Sequence, residues 1–191
     1  MGLDMYVFRI TNPNLKHRVY SQDEIRSMGL TTCTVDDFAA ADAAMAQLMP
    51  YVSKIKVINK YYDVKAIIRD YNLPANSQIG VVSGQGIIVS GKYNGQWVKA
   101  DISHEEVKRK YIVPKIEDSY AWKTQEVAYW RKHYDLQERF YELIGDVENC
   151  GYYLLDVETI NTLRDEYEED MIDVPSEEAT DKTALFYHEW Y

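Results

Sequence analysis

The stretch Tyr129-Trp130-Arg131-Lys132-His133-Tyr134 sets three aromatic rings beside two permanent cations. An arginine can stack on an aromatic face and grip a carboxylate or phosphate with paired N–H donors, which a lysine cannot do. On helical spacing, Arg131 and Lys132 share one side and Trp130 and Tyr134 another. Tyr129, Trp130, Arg131, Lys132 and Tyr134 are therefore the expected ligand- or partner-binding residues, the best small-ligand or phosphate candidate in the chain. The plainer reading of the same residues is a core helix with buried rings and solvated cations.

Other arrangements carry less. Gly84-Gln85-Gly86 supplies two glycines of a dinucleotide loop, but Val89 stands where the third is needed and a strand follows, so a hairpin is expected. His17, His104, His133 and His188 form no His-Glu-x-x-His pair, and no metal ligands are assigned. Cys150 and His133 are conceivable as nucleophile and base, with nothing local to support them. The acidic run from Asp165 to Asp170 reads as a solvated helix end. Acid is disfavoured at a helix C-terminus, which makes the run of some interest as an interaction surface. No catalytic residue or cofactor is assigned, and the balance is against an enzyme.

The elements that must position these side chains follow from periodicity and capping. Residues 4–10 alternate as a strand. Ser21 with Glu24 is a capping box for a helix at 22–28. Thr34 caps a helical pattern over 35–49, which Pro50 closes. A strand at 53–61 precedes a helix at 64–71 capped by Asp63. A meander follows, with strands at 79–83, 87–90 and 97–102, and Asn94-Gly95 suits a type I′ hairpin turn. Ser103 with Glu106 opens a helix at 104–110, broken by Val113-Pro114. The stripe Val127, Trp130, Tyr134, Tyr141 and Ile144 predicts one long helix over 124–144, ended by Gly145. A strand at 151–155, a helix at 157–170 capped by Asp156, an irregular mobile loop at 173–183 and a final strand complete the chain. The expected fold is a single α+β domain: a small mixed sheet packed on one long helix, with residues 51–103 as an inserted β-meander lobe.

Bulk composition narrows the function classes. Of 191 residues, 46% are hydrophobic and 27% charged, which is ordinary for a globular chain and too apolar for a disordered one. The apolar run from Phe38 to Val52 is too short and too polar to span a bilayer, so no membrane association is expected. The start lacks the basic and apolar regions of a signal peptide, and Tyr6 stands where a myristoylation pattern wants Ser or Thr. Two cysteines, Cys33 and Cys150, are too few for a disulfide scaffold or zinc knuckle and fit free thiols in a reducing cytoplasm. The formal net charge of −10 argues against direct nucleic-acid binding, though not against a local basic patch. It suits a basic protein partner, or a protein that imitates the charge of DNA. The most unusual count is 17 Tyr, joined by 4 Trp. Such residues are enriched where proteins recognise partners, and a Tyr-rich face is also compatible with a homodimer.

The opening Met-Gly-Leu-Asp-Met-Tyr, the segment Glu-Val-Ala-Tyr-Trp-Arg-Lys at 126–132, Asn-Cys-Gly-Tyr-Tyr at 149–153 and the final Glu-Trp-Tyr together resemble a family of small bacteriophage and prophage proteins. The resemblance covers the N-terminal strand and most of 124–191. It implies a phage context and carries over no catalytic residue. The expected function is that of a non-enzymatic host-interaction protein, acting in the cytoplasm of an infected bacterium and inhibiting an antiviral defence by binding a host protein. The alternatives are a small-molecule binder that sequesters a nucleotide immune signal, and a nucleotide-modifying or hydrolytic enzyme with a scattered site.

Overall fold

The computed structural model describes residues 2–84, 86–145 and 147–191. In chain order the strands are β1 (Asp4–Thr11), β2 (Val19–Tyr20), β3 (Leu30–Thr34), β4 (Ser53–Tyr62), β5 (Gln78–Ser83), β6 (Gly86–Tyr93), β7 (Gln96–Ser103), β8 (Ile112–Arg131), β9 (Tyr152–Leu155) and β10 (Thr183–Trp190). The helices are α1 (Gln22–Ser27), α2 (Val35–Ala40), α3 (Ala43–Ala46), α4 (Val64–Asp70), α5 (His104–Lys110), α6 (Tyr134–Ile144) and α7 (Val157–Glu166). The fold is α+β, and the chain divides into two compact units, Met1–Val57 with Glu117–Tyr191, and Ile58–Ile116. Among the described residues no helix is long and apolar enough to cross a membrane.

The first unit is organised by a seven-stranded mixed sheet in the order β2–β4–β8–β1–β10–β9, with β3 pairing with β8 off that path. Strand alternation decides what each face meets. Met5 and Val7 of β1 are fully buried against α6 and α7, where Leu136, Phe140, Ile160 and Leu163 meet Trp130 and Tyr187. Burying each such side chain contributes about 1.5–3 kcal/mol. The opposite face carries Ile10, Trp122 and Phe186, covered by Phe38, Met45, Leu48 and Tyr51 from α2, α3 and the 3-10 turn Met49–Tyr51.

Two helical expectations yield to the sheet. The helix placed at 124–144 is strand as far as Arg131; the chain turns at Lys132 (φ +56°), and α6 begins only at Tyr134. The stripe does not alternate strictly, since Val127 and Trp130 are three residues apart; the irregularity opposite Val7 and Phe8 lets Val127 pack on the core side with Trp130, while Tyr129 points away. Thr124, Val127 and Tyr129 are strand formers, and β1 offers this segment an antiparallel partner. Among the described residues no long helix therefore lies beneath the sheet; α6 spans 11 residues. The helix placed at 35–49 is broken into α2, α3 and the 3-10 turn, with Asp42 at φ +34° at the break. Val113-Pro114 lies within β8 and near its start, where a missing N–H donor is tolerated. Local capping behaves as expected. Ser21 and Glu24 form a reciprocal box, and Thr34, Asp63, Ser103 and Asp156 each accept a helix N–H.

Residues 173–182 have no regular structure, but they are tied down. Val174 is fully buried, its carbonyl accepts from Arg164, and Glu177 holds Arg9 in a two-pronged ion pair. Glu166, near the start of the acidic run, is likewise gripped by Arg139 at 2.6 and 2.7 Å.

The second unit, Ile58–Ile116, overlaps the stretch 51–103 but begins and ends later, with residues 51–57 belonging to the first unit. It is the antiparallel meander β5–β6–β7, with one face packed by α4 and α5 through Ile67, Ile87, Val89, Ile102 and Val107. Gln85 lies outside the described residues; around it, Ser83 pairs with Gly86 and β6 follows directly, as a hairpin requires. Asn94 (φ +48°) and Gly95 (φ +80°) take the positive angles of a type I′ turn between β6 and β7. The two units differ sharply in charge. Residues 58–116 hold nine Lys and Arg against five Asp and Glu, whereas the rest of the chain holds twelve against twenty-six.

Candidate functional site

The β8 strand separates the five residues singled out from the sequence. Trp130 is 9% exposed; its ring lies 6.1 Å from that of Phe140, and its Nε1 donates to the Asp170 carbonyl at 3.1 Å. It is a core residue, though of a strand and not of the core helix of the plainer reading, and Tyr129 and Tyr134 are exposed. Arg131, Lys132 and Tyr134 line a shallow recess of about 280 Å³ together with His133 and Asp135. His133 serves the fold: its Nδ1 accepts from the Leu136 N–H at 3.2 Å and caps α6, while its Nε2 faces Asp170 at 3.2 Å. Asp135 opposes an anion in that recess, and Trp130 is not there to stack on one. Cys150 is exposed and engaged with Asn149, and His133 is occupied as a cap.

Tyr129 belongs to a different assembly. In register, β8, β1, β10 and β9 bring Tyr129, Tyr6, His188 and Tyr152 into one row across the sheet. The Tyr6 ring lies 5.0 Å from Tyr129 and 6.1 Å from His188, and His188 stacks on Tyr152 at 4.5 Å. Phe8 extends the row, stacking on Tyr6 at 5.1 Å and lying 5.5 Å from His188. Such ring pairs contribute about 0.5–1.5 kcal/mol each beyond the area they bury. This face is covered at one end, where Trp122 meets Phe38 and Tyr152, and opens at the other. At the open end Tyr129 is 44% and Trp190 59% exposed. Asp4 pairs in register with both Trp190 and Arg131, and it accepts the Tyr129 hydroxyl at 2.7 Å.

The electrostatics of the row follow from these contacts. The hydrogen bond to Asp4, then burial, pushes the Tyr129 hydroxyl above its ordinary value. Burial pushes Tyr152 up to about 12. His188 is moved down by burial, against the Gly151 carbonyl that its Nδ1 meets at 2.9 Å and the charge of Glu189. His188 is thus a neutral ring within a stack of rings.

Behind the sheet, on the α6 side, Glu189 is fully buried. It accepts from Tyr141 at 2.6 Å, Tyr187 at 2.8 Å and Gln137 at 3.0 Å. Burial, followed by the bond to Glu189, holds both tyrosine hydroxyls far above their ordinary range. The cluster braces β10 against α6. Among the described residues no group of three or more His, Cys, Asp and Glu could hold a metal ion.

Tyr6, Phe8, Tyr152 and His188 escaped the sequence reading. A signal was present, since aromatics recur at alternate positions at 6 and 8 and again at 186, 188 and 190 if His188 is counted as a ring. Compared with protein-family models, curated proteins and solved structures, the chain finds no match in any of the three.

Proposed function

We propose that this chain is a phage-encoded, non-enzymatic host-interaction protein, which binds a bacterial host protein in the cytoplasm and so inhibits an antiviral defence. The observation that carries the reading is the aromatic row Tyr129–Tyr6–His188–Tyr152, half-open on the sheet and rimmed by Trp190, Asp4 and Arg131. Rigid rings with polar tips, already stacked on one another, lose little entropy when a partner covers them. The acidic character of the first unit favours a partner with a basic surface and speeds their encounter. The phage context comes from the sequence resemblance.

Native mass spectrometry of the tagged protein from expressing bacteria tests this. The wild-type chain is expected to carry a host protein, and Tyr6→Ala with Tyr129→Ala to lose it while still unfolding cooperatively, at a temperature lowered by about 5–10 °C through the lost ring pairs. Retention of the partner by that variant would overturn the assignment of the face. A mass excess made only of a second copy of the chain would replace the host protein with a homodimer.

A further inference from the structure

We propose that the hairpin end of the second unit is a separate binding site for a nucleotide unit, a flat base joined to phosphate. Charge is the first ground. The unit's nine cations against five acids give it a formal charge of +4 inside a chain of −10. The whole-chain value averages a basic unit with an acidic one and hides this. A basic surface is what phosphate requires.

The second ground is the pair of exposed rings beside the turn. Tyr93 is 65% and Trp97 68% exposed, and the core of this unit is complete without them. The Lys92 ammonium lies 5.0 Å from the Trp97 ring centroid. An exposed ring with a cation over one face is the pairing that single nucleotides and single strands meet on proteins.

Shape is the third. Lys92 and Asn76 border two recesses. One, of about 760 Å³, has an apolar lining from Leu73, Pro74, Tyr93 and Val98. The other, of about 420 Å³, is lined by Gln78, Ser90 and Trp97 and runs past Gly80, where no side chain fills the floor. Gly91 makes the junction possible. A Cβ there would lie 2.3 Å from Ser77 Oγ and 2.7 Å from Asn76 Oδ1, so the loop packs directly on β6 and holds Asn76 between the recesses. Volumes of this size take a small-molecule ligand. The base stacks on Trp97, Lys92 meets the phosphate, and the Asn76 and Gln78 amides offer donors and acceptors to the base edge.

The same chemistry belongs to a free nucleotide and to one residue of a single strand, and the test separates them. The full chain is titrated in about 50 mM salt, where phosphate contacts are strong, with ATP, with fluorescein-labelled oligothymidylate, and with polyglutamate as an anion without bases. Saturable binding of ATP identifies a free nucleotide; binding of the oligonucleotide alone identifies a strand. Trp97→Ala and Lys92→Ala are each expected to weaken that binding about tenfold. Because both side chains are exposed, the unfolding temperature should not move. Tyr6→Ala with Tyr129→Ala should bind the probe as the wild type does. No binding of either probe, equal binding of polyglutamate, or wild-type affinity in Trp97→Ala would each overturn the proposal.

Discussion

The two units spend aromatic residues in opposite ways. In the first unit the rings form a continuous array, from Phe38 and Trp122 under α2 through Tyr152, His188 and Tyr6 to Tyr129 at the open end, and each ring supports the next. In the second, the core is largely aliphatic, and Tyr93 and Trp97 stand clear of it at a hairpin tip. The first unit is strongly acidic and buries the Glu189 side chain in its core; the second is basic, and its tyrosine–carboxylate contact from Tyr111 to Asp70, at 3.1 Å, reaches an exposed acid. A ring that is packed on its neighbours is a rigid surface for a large partner. A ring that projects over a recess is a platform for a small one.

The largest effect should come from the buried carboxylate. Replacing Glu189 by Leu leaves the buried Tyr187 hydroxyl without its acceptor and removes the acceptor that the part-buried Gln137 and Tyr141 share with it. An unsatisfied buried donor costs about 1–3 kcal/mol, and the loss here should total about 3–5 kcal/mol, allowing for partial relaxation. Urea unfolding followed by the near-ultraviolet aromatic signal measures it. The signal of the first unit should move to lower denaturant while Trp97 fluorescence at the hairpin is retained. A shift under 1 kcal/mol would mean that the cluster does not brace β10.

A smaller effect separates the units by pH. His188 has its pKa lowered in the folded chain by burial, so the unfolded chain takes up a proton first. The stability it contributes is whole above its ordinary value of 6.5 and is lost as pH falls from there through the lower folded value. Thermal unfolding between pH 7.5 and 5.5 should therefore show the aromatic unit weakening on the acid side, before most carboxylates titrate. His188→Phe should flatten that slope while keeping the stack. An unchanged slope in the variant would assign the effect to another group.

These contrasts also show which parts of the molecule can be read from its sequence. Several features carried by neighbours in the chain were legible, the box at Ser21 and Glu24, the caps at Thr34, Asp63 and Asp156, and the Asn94-Gly95 turn, whereas the break at Asp42 was not. The strand β8 was not, because its aromatic spacing fits two periods and the partner that decides between them is remote. Asp4 and Tyr129, now joined by a hydrogen bond, are 125 residues apart. The same distance hid the aromatic row. Tyr129 and Arg131 could be picked out by their chemistry, but Tyr6, Tyr152 and His188 come to them only through sheet register. Trp130 was chosen for its neighbours in sequence, and strand alternation turned it into the core. The basic unit stayed invisible for a third reason: net charge is informative only once the boundaries over which to sum it are known.

The smallest effect tests whether the hairpin of the second unit is as rigid as its proposed role requires. Gly95 sits at φ +80° with open space around it, so an added methyl meets no neighbour and the cost is conformational alone. Gly95→Ala should therefore destabilise the second unit by about 1 kcal/mol, the penalty for an L-residue at a left-handed position. The first unit should be untouched. If the turn holds, Tyr93 and Trp97 keep their places on β6 and β7, and any loss of nucleotide affinity should be slight. If the variant instead loses affinity as fully as Trp97→Ala while remaining folded, the turn geometry itself sets the distance between Lys92 and the ring. The site would then depend on a preorganised hairpin rather than on two exposed side chains that happen to be close.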